Sequence, residues 1–549
     1  MIEKIRPSFK NIAHNQPQNV FGDFKYYPLQ MQPDAFINSQ KTSKNKKLLI
    51  AGLFVLAALG IAAIAFRKNI KRSHVEKVFK EQMSRFPSDI EYRKAIVADM
   101  GLPAGDYHKL RPVIGVQELE DFVQKSQGNE VWYVPGTKTY KGNEAIFSGK
   151  ENAQNFKFRA NLHLHTHHSD GTITVPQLFE EAVGYADKLA KKTKQPFYIA
   201  ITDHDSVEGC KEAVNLILSD PWKYRNLRVA LGVEHSLLHA NTALLNEPAY
   251  IHVLSYGINP FGKDIGSFLT PRVQKNRENI TAVIENANNQ FRSVLDKNKF
   301  SYDFDEAAKM APLLKSSPRV TDLCMKDYFQ FKLIHAETVG NNRALQEFFA
   351  RHYFDPEDFD FTSAIRKIPE NPDYSKGQKY WEHYHDALKK HIMDTVREKA
   401  PAIDEKELTR CFVDISQDTK DALAKFESGC LDPTSSLFVK KVGWPDYKSG
   451  IEQLSSFEHG VMGMAHPGVL FPANCTKSEK DMPELYKELY DIFTEKGGDK
   501  AKFAEGYYQV YFKNMDFDII KELDDLGSTY NLLKTGGLDT HSASVFESK

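Results

Sequence analysis

The chain has 549 residues, of which 41% are hydrophobic, 26% charged and 12% aromatic. That is enough apolar material for a large core, which excludes a wholly disordered, collagen-like or mucin-like chain. Lysine and arginine number 72 against 73 aspartates and glutamates, a formal net charge of −1, so no global field demands a nucleic-acid partner.

Residues 1–47 are rich in Asn, Gln and Lys, lack hydrophobic periodicity and read as a flexible polar tail. Residues 48–66, LLIAGLFVLAALGIAAIAF, are free of charge and flanked by Lys44, Lys46 and Lys47 before and Arg67, Lys68, Lys71 and Arg72 after. As a helix this run spans about 28 Å, close to the thickness of a bilayer's hydrocarbon layer, and it starts too far into the chain for a cleaved signal. It predicts a single transmembrane helix. The downstream flank carries slightly more Lys and Arg, so the positive-inside rule places the C-terminal body in the cytoplasm. The cysteines (Cys210, Cys324, Cys411, Cys430 and Cys475) are odd in number, scattered and without a C-x-x-C pair. They point the same way, and away from a disulfide framework or a cysteine-type zinc site.

Residues 67–156 hold two short helical patterns, VEKVFKEQMSRF and VQELEDFVQKS, and a strand-like VWYV. They form a connecting region to which the sequence gives no role. From residue 157 the pattern changes. FRANLHLH, PFYIAITDHD, RVALGVEHS, AYIHVLSYG, GVMGMAHPG, FAEGYYQVYF and NLLKTGGLDTHS read as strands or strand ends. QLFEEAVGYADKLAKK, NITAVIENANNQFRSVL, YKSGIEQLSSF and FDIIKELDDLG read as the helices between them. The alternation predicts a parallel β/α architecture. Residues of about 345–440 are helical in pattern and strongly charged, and read as an insertion into residues 157–545. There is no internal repeat.

Histidines and acids gather where the predicted strands end. His163 and His165, two apart, face the same way on an extended strand and can reach one ion. Asp170 follows in a Ser-Asp-Gly turn, His204 lies in ITDHDS, Glu234 in GVEHS, His252 in YIHVLSYG and His466 in MAHPG, and Asp539 and His541 close the set, again two apart. A lone H-x-H is a weak signal, but nine ligand-type residues at successive strand ends are not a chance pattern, and in β/α barrels the C-terminal strand ends carry the active face. His167, His168, His235 and His239 alternate away from these positions and read as surface or supporting residues. His383 and His385, i and i+2 on a predicted helix, do not share a face.

The segments H-L-H-T-H-H-S-D-G (His163 to Gly171), I-T-D-H-D (Ile201 to Asp205), G-V-E (Gly232 to Glu234), H-V-L-S-Y-G (His252 to Gly257), A-H-P-G (Ala465 to Gly468) and G-G-L-D-T-H (Gly536 to His541) resemble, in order, the metal-binding motifs of the PHP (polymerase and histidinol phosphatase) superfamily. The chain looks most like its stand-alone phosphoesterases, which act on nucleoside 3′,5′-bisphosphates and short oligonucleotide ends. The resemblance covers residues 157–545 outside the insertion and nothing before residue 150. It implies a distorted (β/α)7 barrel holding two or three divalent ions (Mn, Zn or Fe). One ion would take His163, His165 and Asp539, a second His252 and His466 with Glu234 bridging the two, and a third Asp170, His204 and His541. The implied chemistry is hydrolysis of phosphate esters by a metal-bridging hydroxide, exonuclease-like on oligonucleotide ends, with Asp170, His204, Glu234 and Arg319 in catalytic roles. The mixed imidazole and carboxylate set suits Zn, Mn or Fe rather than thiolate-bound copper.

Arg319 in KSSPRVTDL stands near the family's substrate-phosphate arginine, although the local order is Ser-Pro-Arg, and it reads equally as a surface arginine at a helix start. Arg272 and Arg277 are weaker candidates for the same grip. Asp203 reads either as an acceptor that orients His204 or as a helix cap. Leu538 replaces a common Ser or Thr, and Glu458, His459 and Gly460 stand where small residues are usual. The anchor and the insertion are absent from typical members, and the insertion, lying between Arg319 and His466, is expected to overhang the site. Two alternatives stay open: a histidinol-phosphatase-like or phosphotyrosine phosphatase on the same scaffold, and a catalytically repurposed membrane-anchored scaffold. The expected partners are a phosphorylated small molecule or short oligonucleotide and the membrane, with no protein partner implied.

Overall fold

Short apolar runs such as Phe197–Ile201 offer no polar face to water, so they settle inside a sheet that is covered on both sides. The structure is a computed structural model that describes residues 85–126, 159–315, 322–355, 359, 380–429, 435–437, 439, 443–470, 475–505 and 517–546. Among the described residues there are eight strands, β1 (Val113–Ile114), β2 (Ala160–Asn161), β3 (Phe197–Ile201), β4 (Leu227–His239), β5 (Ala249–Tyr256), β6 (Val461–Met464), β7 (Ala501–Glu505) and β8 (Leu533–Thr535). They form one sheet in the order β2-β3-β4-β5-β6-β7-β8, with β1 paired to β4.

The expected all-parallel arrangement holds only in part. The pairs β2–β3, β3–β4, β6–β7, β7–β8 and β1–β4 are parallel, whereas β5 runs antiparallel to both β4 and β6. The loop from His239 to Ala249 is too short for a crossover helix, so β4 and β5 can only pair as a hairpin. The sheet curls until the backbone beyond β2 meets the backbone beyond β8. Leu162 N donates to Gly536 O at 3.1 Å, His165 N to Thr540 O at 2.9 Å and Thr540 N to His163 O at 3.2 Å, and Leu164 bridges Thr540 in parallel.

The helices against the sheet are α1 (Pro87–Asp99), α2 (Val116–Ser126), α3 (Val175–Thr193), α4 (Glu208–Ser219), the first half of α5 (Lys263–Gln290), and three later helices introduced below. Helix α3 starts where Thr174 and Gln177 close a capping box. The segment 85–126, to which the sequence gives no role, is stitched to the sheet. The Asp89 carboxylate accepts from Gly115, Gln117 and Glu118 N–H at 3.0, 3.0 and 3.1 Å, capping α2. Arg93 donates to Val113 O and Tyr92 to Ile258 O.

Helix α5 is 28 residues long, about 42 Å, and belongs to two cores. Ile265, Phe268 and Leu269 pack under the sheet, while Ile280, Val283, Ile284 and Ala287 enter a second core that runs to Leu437. That core gathers α6 (Arg292–Lys297), α7 (Phe304–Lys315), α8 (Asp322–His335), α9 (Arg343–Arg351), α10 (Tyr380–Lys399), α11 (Glu405–Cys411) and α12 (Gln417–Gly429) around aromatic side chains that include Tyr302, Tyr328, Phe329 and Phe426. The chain then returns to the sheet through α13 (Tyr447–Ser455), α14 (Met482–Gly497) and α15 (Phe517–Thr529).

The expected single-pass membrane protein with a cytoplasmic body is corrected. Among the described residues no helix is long and apolar enough to cross a membrane. Even α5, which has the length, carries Lys263, Asp264, Arg272, Lys275, Arg277, Glu278 and Glu285. Residues 48–66, the source of that expectation, lie outside the described residues, as do residues 1–47, the VEKVFKEQMS stretch and VWYV.

Two histidines of the second core titrate far from the ordinary imidazole value. Burial holds His335 down at about 4, and burial reinforced by Lys389 holds His385 at about 4. The unfolded chain takes up these protons below pH ~6.5 and the folded chain only near pH 4, so folding stability falls as pH drops through that window. Urea titrations at pH 5 are therefore expected to show about 1–2 kcal/mol less stability per histidine than at pH 7. In His385→Gln that difference should shrink; an undiminished difference would exclude His385 as its source.

Candidate metal centre

The nine residues singled out at strand ends come together on one side of the curled sheet, although regular strand geometry carries few of them. Strand β2 ends at Asn161, yet the Leu164–Thr540 bridge keeps the next residues extended. His163 and His165 consequently converge, with Nε2 atoms 3.1 Å apart. Asn161 substitutes for missing ladder bonds: its Oδ1 accepts from Leu538 N at 2.9 Å, and its Nδ2 donates to Thr540 Oγ1 and Val545 O at 3.0 and 2.7 Å. Two glycines make room. A Cβ on Gly537 would sit 2.3 Å from His163 Cβ, and one on Gly171 would sit 2.3 Å from His165 O.

Glu234, fully buried on β4, is the hub. Its Oε2 lies 3.0 Å from His163 Nε2, 3.0 Å from His165 Nε2 and 3.2 Å from His204 Nδ1, and its Oε1 lies 2.9 Å from His252 Nδ1 and 3.0 Å from His466 Nε2. Asp539 Oδ1 is 3.0 Å from His165 Nε2 and 3.4 Å from His163 Nε2. Asp170 Oδ1 is 3.1 Å from His541 Nε2, 3.7 Å from His165 Nδ1 and 3.8 Å from His204 Nε2. Three ligand-type groups result: His163, His165, Glu234 and Asp539; His204, Glu234 and His252; and His165, Asp170, His204 and His541. His204, Asp170 and His252 are the solvent-reaching members, with side chains 26%, 19% and 14% exposed, while the other six are almost sealed.

The backbone is strained at two of these positions. His466 and Asp539 hold φ of 25° and 45°, a cost on the order of 1–3 kcal/mol each that surrounding contacts must sustain. His466 N donates to Glu505 Oε2 at 2.9 Å, and the bonds at Leu538 and Thr540 clamp Asp539 from both sides.

Glu505, at the end of β7, escaped the sequence reading. Its oxygens both lie 3.1 Å from His163 Nδ1. A carboxylate only accepts, so His163 donates from Nδ1, which leaves Nε2 as the nitrogen that would face a bound ion. His541 is fixed the same way, its Nδ1 donating to Asp539 O at 2.9 Å. The signal available in the sequence was an acid before Gly506 at a predicted strand end, the same signature that marked the others. Asp203 performs neither expected role. It accepts from Thr166 N at 2.7 Å, Thr166 Oγ1 at 2.8 Å and Ser169 Oγ at 2.6 Å, and so holds the loop between His165 and Asp170.

The electrostatics fit a cation. Burial alone would lower the pKa of His165, but Asp539 and Glu234 override it and hold the ring at about 10. His163 is likewise carried well above its ordinary value against its burial, by Glu505, Glu234 and Asp539. Burial works to raise Glu234 and Asp539, yet the surrounding imidazoles drive both well down. With the rings neutral, the form in which an imidazole ligates a metal, the carboxylates would carry anionic charge for a cation to balance. A tetrahedral shell with bonds of ~2.1 Å places its ligands roughly 3.4 Å apart, close to the 3.0–3.4 Å separations among His163, His165, Glu234 and Asp539. The donor set is compatible with a borderline divalent ion such as Zn, Mn or Fe.

The cationic candidates fare differently. Arg272 is consumed structurally. It is buried, paired with Asp205 and with the Ser236 carbonyl, and sandwiched between Phe268 and Trp444 at 5.2 and 5.3 Å. It ties together the turn after His204, the strand carrying Glu234 and the point where the insertion returns to the sheet. Arg277 pairs with Asp305 on the exposed face of α5. Arg319 lies outside the described residues.

No family model matches the chain, and no curated protein matches it. Among solved structures it is similar to a protein assigned as a metal-dependent phosphoesterase from Bifidobacterium adolescentis, at 17% identity and a TM-score of 0.34 over 70% of this chain and 87% of that one. It is also similar to an amidohydrolase from Chromobacterium violaceum, solved with bound sulfate and no metal, at 16% identity and a TM-score of 0.32 over 70% and 88%. Likenesses of this size assign no function.

Glu505→Gln keeps the shape of the side chain and removes the charge that orients His163. It is expected to weaken divalent-metal binding by about 10–100-fold while leaving the thermal midpoint of the metal-free protein within a few degrees. Calorimetric metal titration reads the first and a melting curve the second; unchanged affinity would remove Glu505 from the centre.

Proposed function

We propose that this protein hydrolyses phosphate esters at a divalent-metal centre, on a distorted (β/α)7 barrel, with nucleoside 3′,5′-bisphosphates or short oligonucleotide ends as substrates. The observation that carries the reading is Glu234, one buried carboxylate whose two oxygens face separate sets of imidazoles. The joins between the ends of β2 and β8 support the barrel, and the ordered motifs resembling PHP phosphoesterases support the substrate class.

In this reading His163, His165 and Asp539 would hold one ion, His252 and His466 a second, and Asp170, His204 and His541 a third, with Glu234 beside the first two sets. Bound ions supply Lewis-acid polarisation of phosphoryl oxygens and an acidified water. The chain's own residues do the rest. Glu234 sets the spacing of the two histidine groups through its paired oxygens. Glu505 and the Asp539 carbonyl keep the Nδ1 protons on His163 and His541, so the opposite nitrogens would be the ones to face a bound ion. His204, Asp170 and His252, partly exposed where the other ligands are sealed, mark the side from which a phosphoryl group would reach the centre. Arg319 is the proposed contact for a substrate phosphate; Arg272, already paired, is not.

Full-length protein loaded with Mn is expected to release phosphate from a nucleoside 3′,5′-bisphosphate and from a short 5′-phosphorylated RNA. An Asp539→Ala/His541→Ala double variant should lose about 10³-fold or more in rate, and a chelator should abolish the wild-type activity until Mn is restored. Turnover of histidinol phosphate or phosphotyrosine alone would replace the substrate assignment. No turnover by metal-loaded protein would overturn the hydrolase reading.

A further inference from the structure

The loop that carries His165 and Asp170 also carries His167 and His168, which belong to none of the three groups above. His168 Nε2 lies 2.7 Å from Glu212 Oε2 on α4, and the two imidazole rings stand 4.2 Å apart, centroid to centroid. Ligand-type atoms of His167, His168 and Glu212 all fall within 4.8 Å of one another. This is the same kind of crowding seen among the residues around Glu234.

Two further observations point to an absent ligand. The Nδ1 atom of His167 is sealed from solvent and lacks a hydrogen-bond partner among the described residues. Glu212 meets the Nε2 edge of the His168 ring, so the ligand-type atoms of this group that face one another are His168 Nε2, a Glu212 oxygen and a ring nitrogen of His167. The backbone beneath is also fixed in advance. His167 N donates to Ile173 O at 2.9 Å and His168 N to Thr166 Oγ1 at 3.2 Å, while Thr166 is itself held by Asp203. The His168 and Glu212 side chains are 14% and 33% exposed, buried enough to hold an ion and open enough to receive one.

We propose that His167, His168 and Glu212 form a separate site for one divalent transition-metal ion of the zinc class. Two imidazoles and one carboxylate make a borderline donor set with a coordination position left for water. An ion there takes up the unmet nitrogen valence of His167 and, through His168 Nε2 and Glu212, ties α4 to the loop bearing His165 and Asp170. The site is independent of the centre around Glu234 and does not require the hydrolase reading.

The probe is zinc alone, added to chelator-stripped full-length protein, with bound metal counted by mass spectrometry. A His167→Asn/Glu212→Gln variant is expected to hold one zinc fewer than wild type, whereas Glu234→Gln/Asp539→Asn should lose zinc at the main centre and retain this equivalent. Equal zinc in wild type and the first variant would overturn the proposal. A second measurement needs no variant: zinc should protect His167 and His168 of the wild-type chain from carbethoxylation, read residue by residue, and unchanged modification of both at saturating zinc would overturn the proposal. Loss of the main-centre zinc in every protein, with protection at His168 intact, would instead count against the reading of Glu234.

Discussion

A single buried anion organises this molecule. Glu234 sits in the middle of the longest strand, shut off from water, with five imidazole nitrogens within 3.2 Å of its oxygens. A carboxylate in such a place is tolerated only where positive charge meets it, and histidines from four different stretches of chain converge to do so. Each of those stretches must end at the right height above the sheet, which explains why strands are short, why the sheet curls, and why two ligands hold strained backbone.

Around this hub lies a shell of polar groups whose work is geometric. Glu505 chooses the tautomer of His163 and anchors the backbone of His466. Asn161 replaces the hydrogen bonds a longer β2 would have made, and Asp203 holds the loop from Thr166 to Ser169. None of these residues presents the familiar signature of a metal ligand, yet each fixes the direction in which a ligand points. The strain at His466 and Asp539 is sustained by this shell.

The insertion is bound into the same design. Helix α5 lends its first half to the core under the sheet and its second half to a separate aromatic core. Arg272 stands between those halves, held by Phe268 and by Trp444 from the returning chain, and its charge faces Asp205 and the Ser236 carbonyl. Through one guanidinium the root of the insertion is set against two ligand-bearing segments, so the placement of the second core and that of His204 and Glu234 are not independent.

The sequence by itself determined which residues gather. Period-two spacing at His163 and His165 and at Asp539 and His541, together with turn residues beside each ligand, marked the strand ends, because backbone alternation is a local property. Local patterning likewise placed α2, α13 and most of α3. Tertiary structure decided what no local pattern encodes. The direction of β5 depends on the loop that joins it to β4, and the part played by residues 85–126 depends on Asp89 and Tyr92 meeting partners at Glu118 and Ile258. Arg272 looked like a free phosphate grip because its partners, Asp205, Ser236 and Trp444, lie 67, 36 and 172 positions away along the chain. Whether a charged side chain reaches outward to a substrate or inward to the fold is settled by what packs against it, and that is fixed only when the distant segments meet.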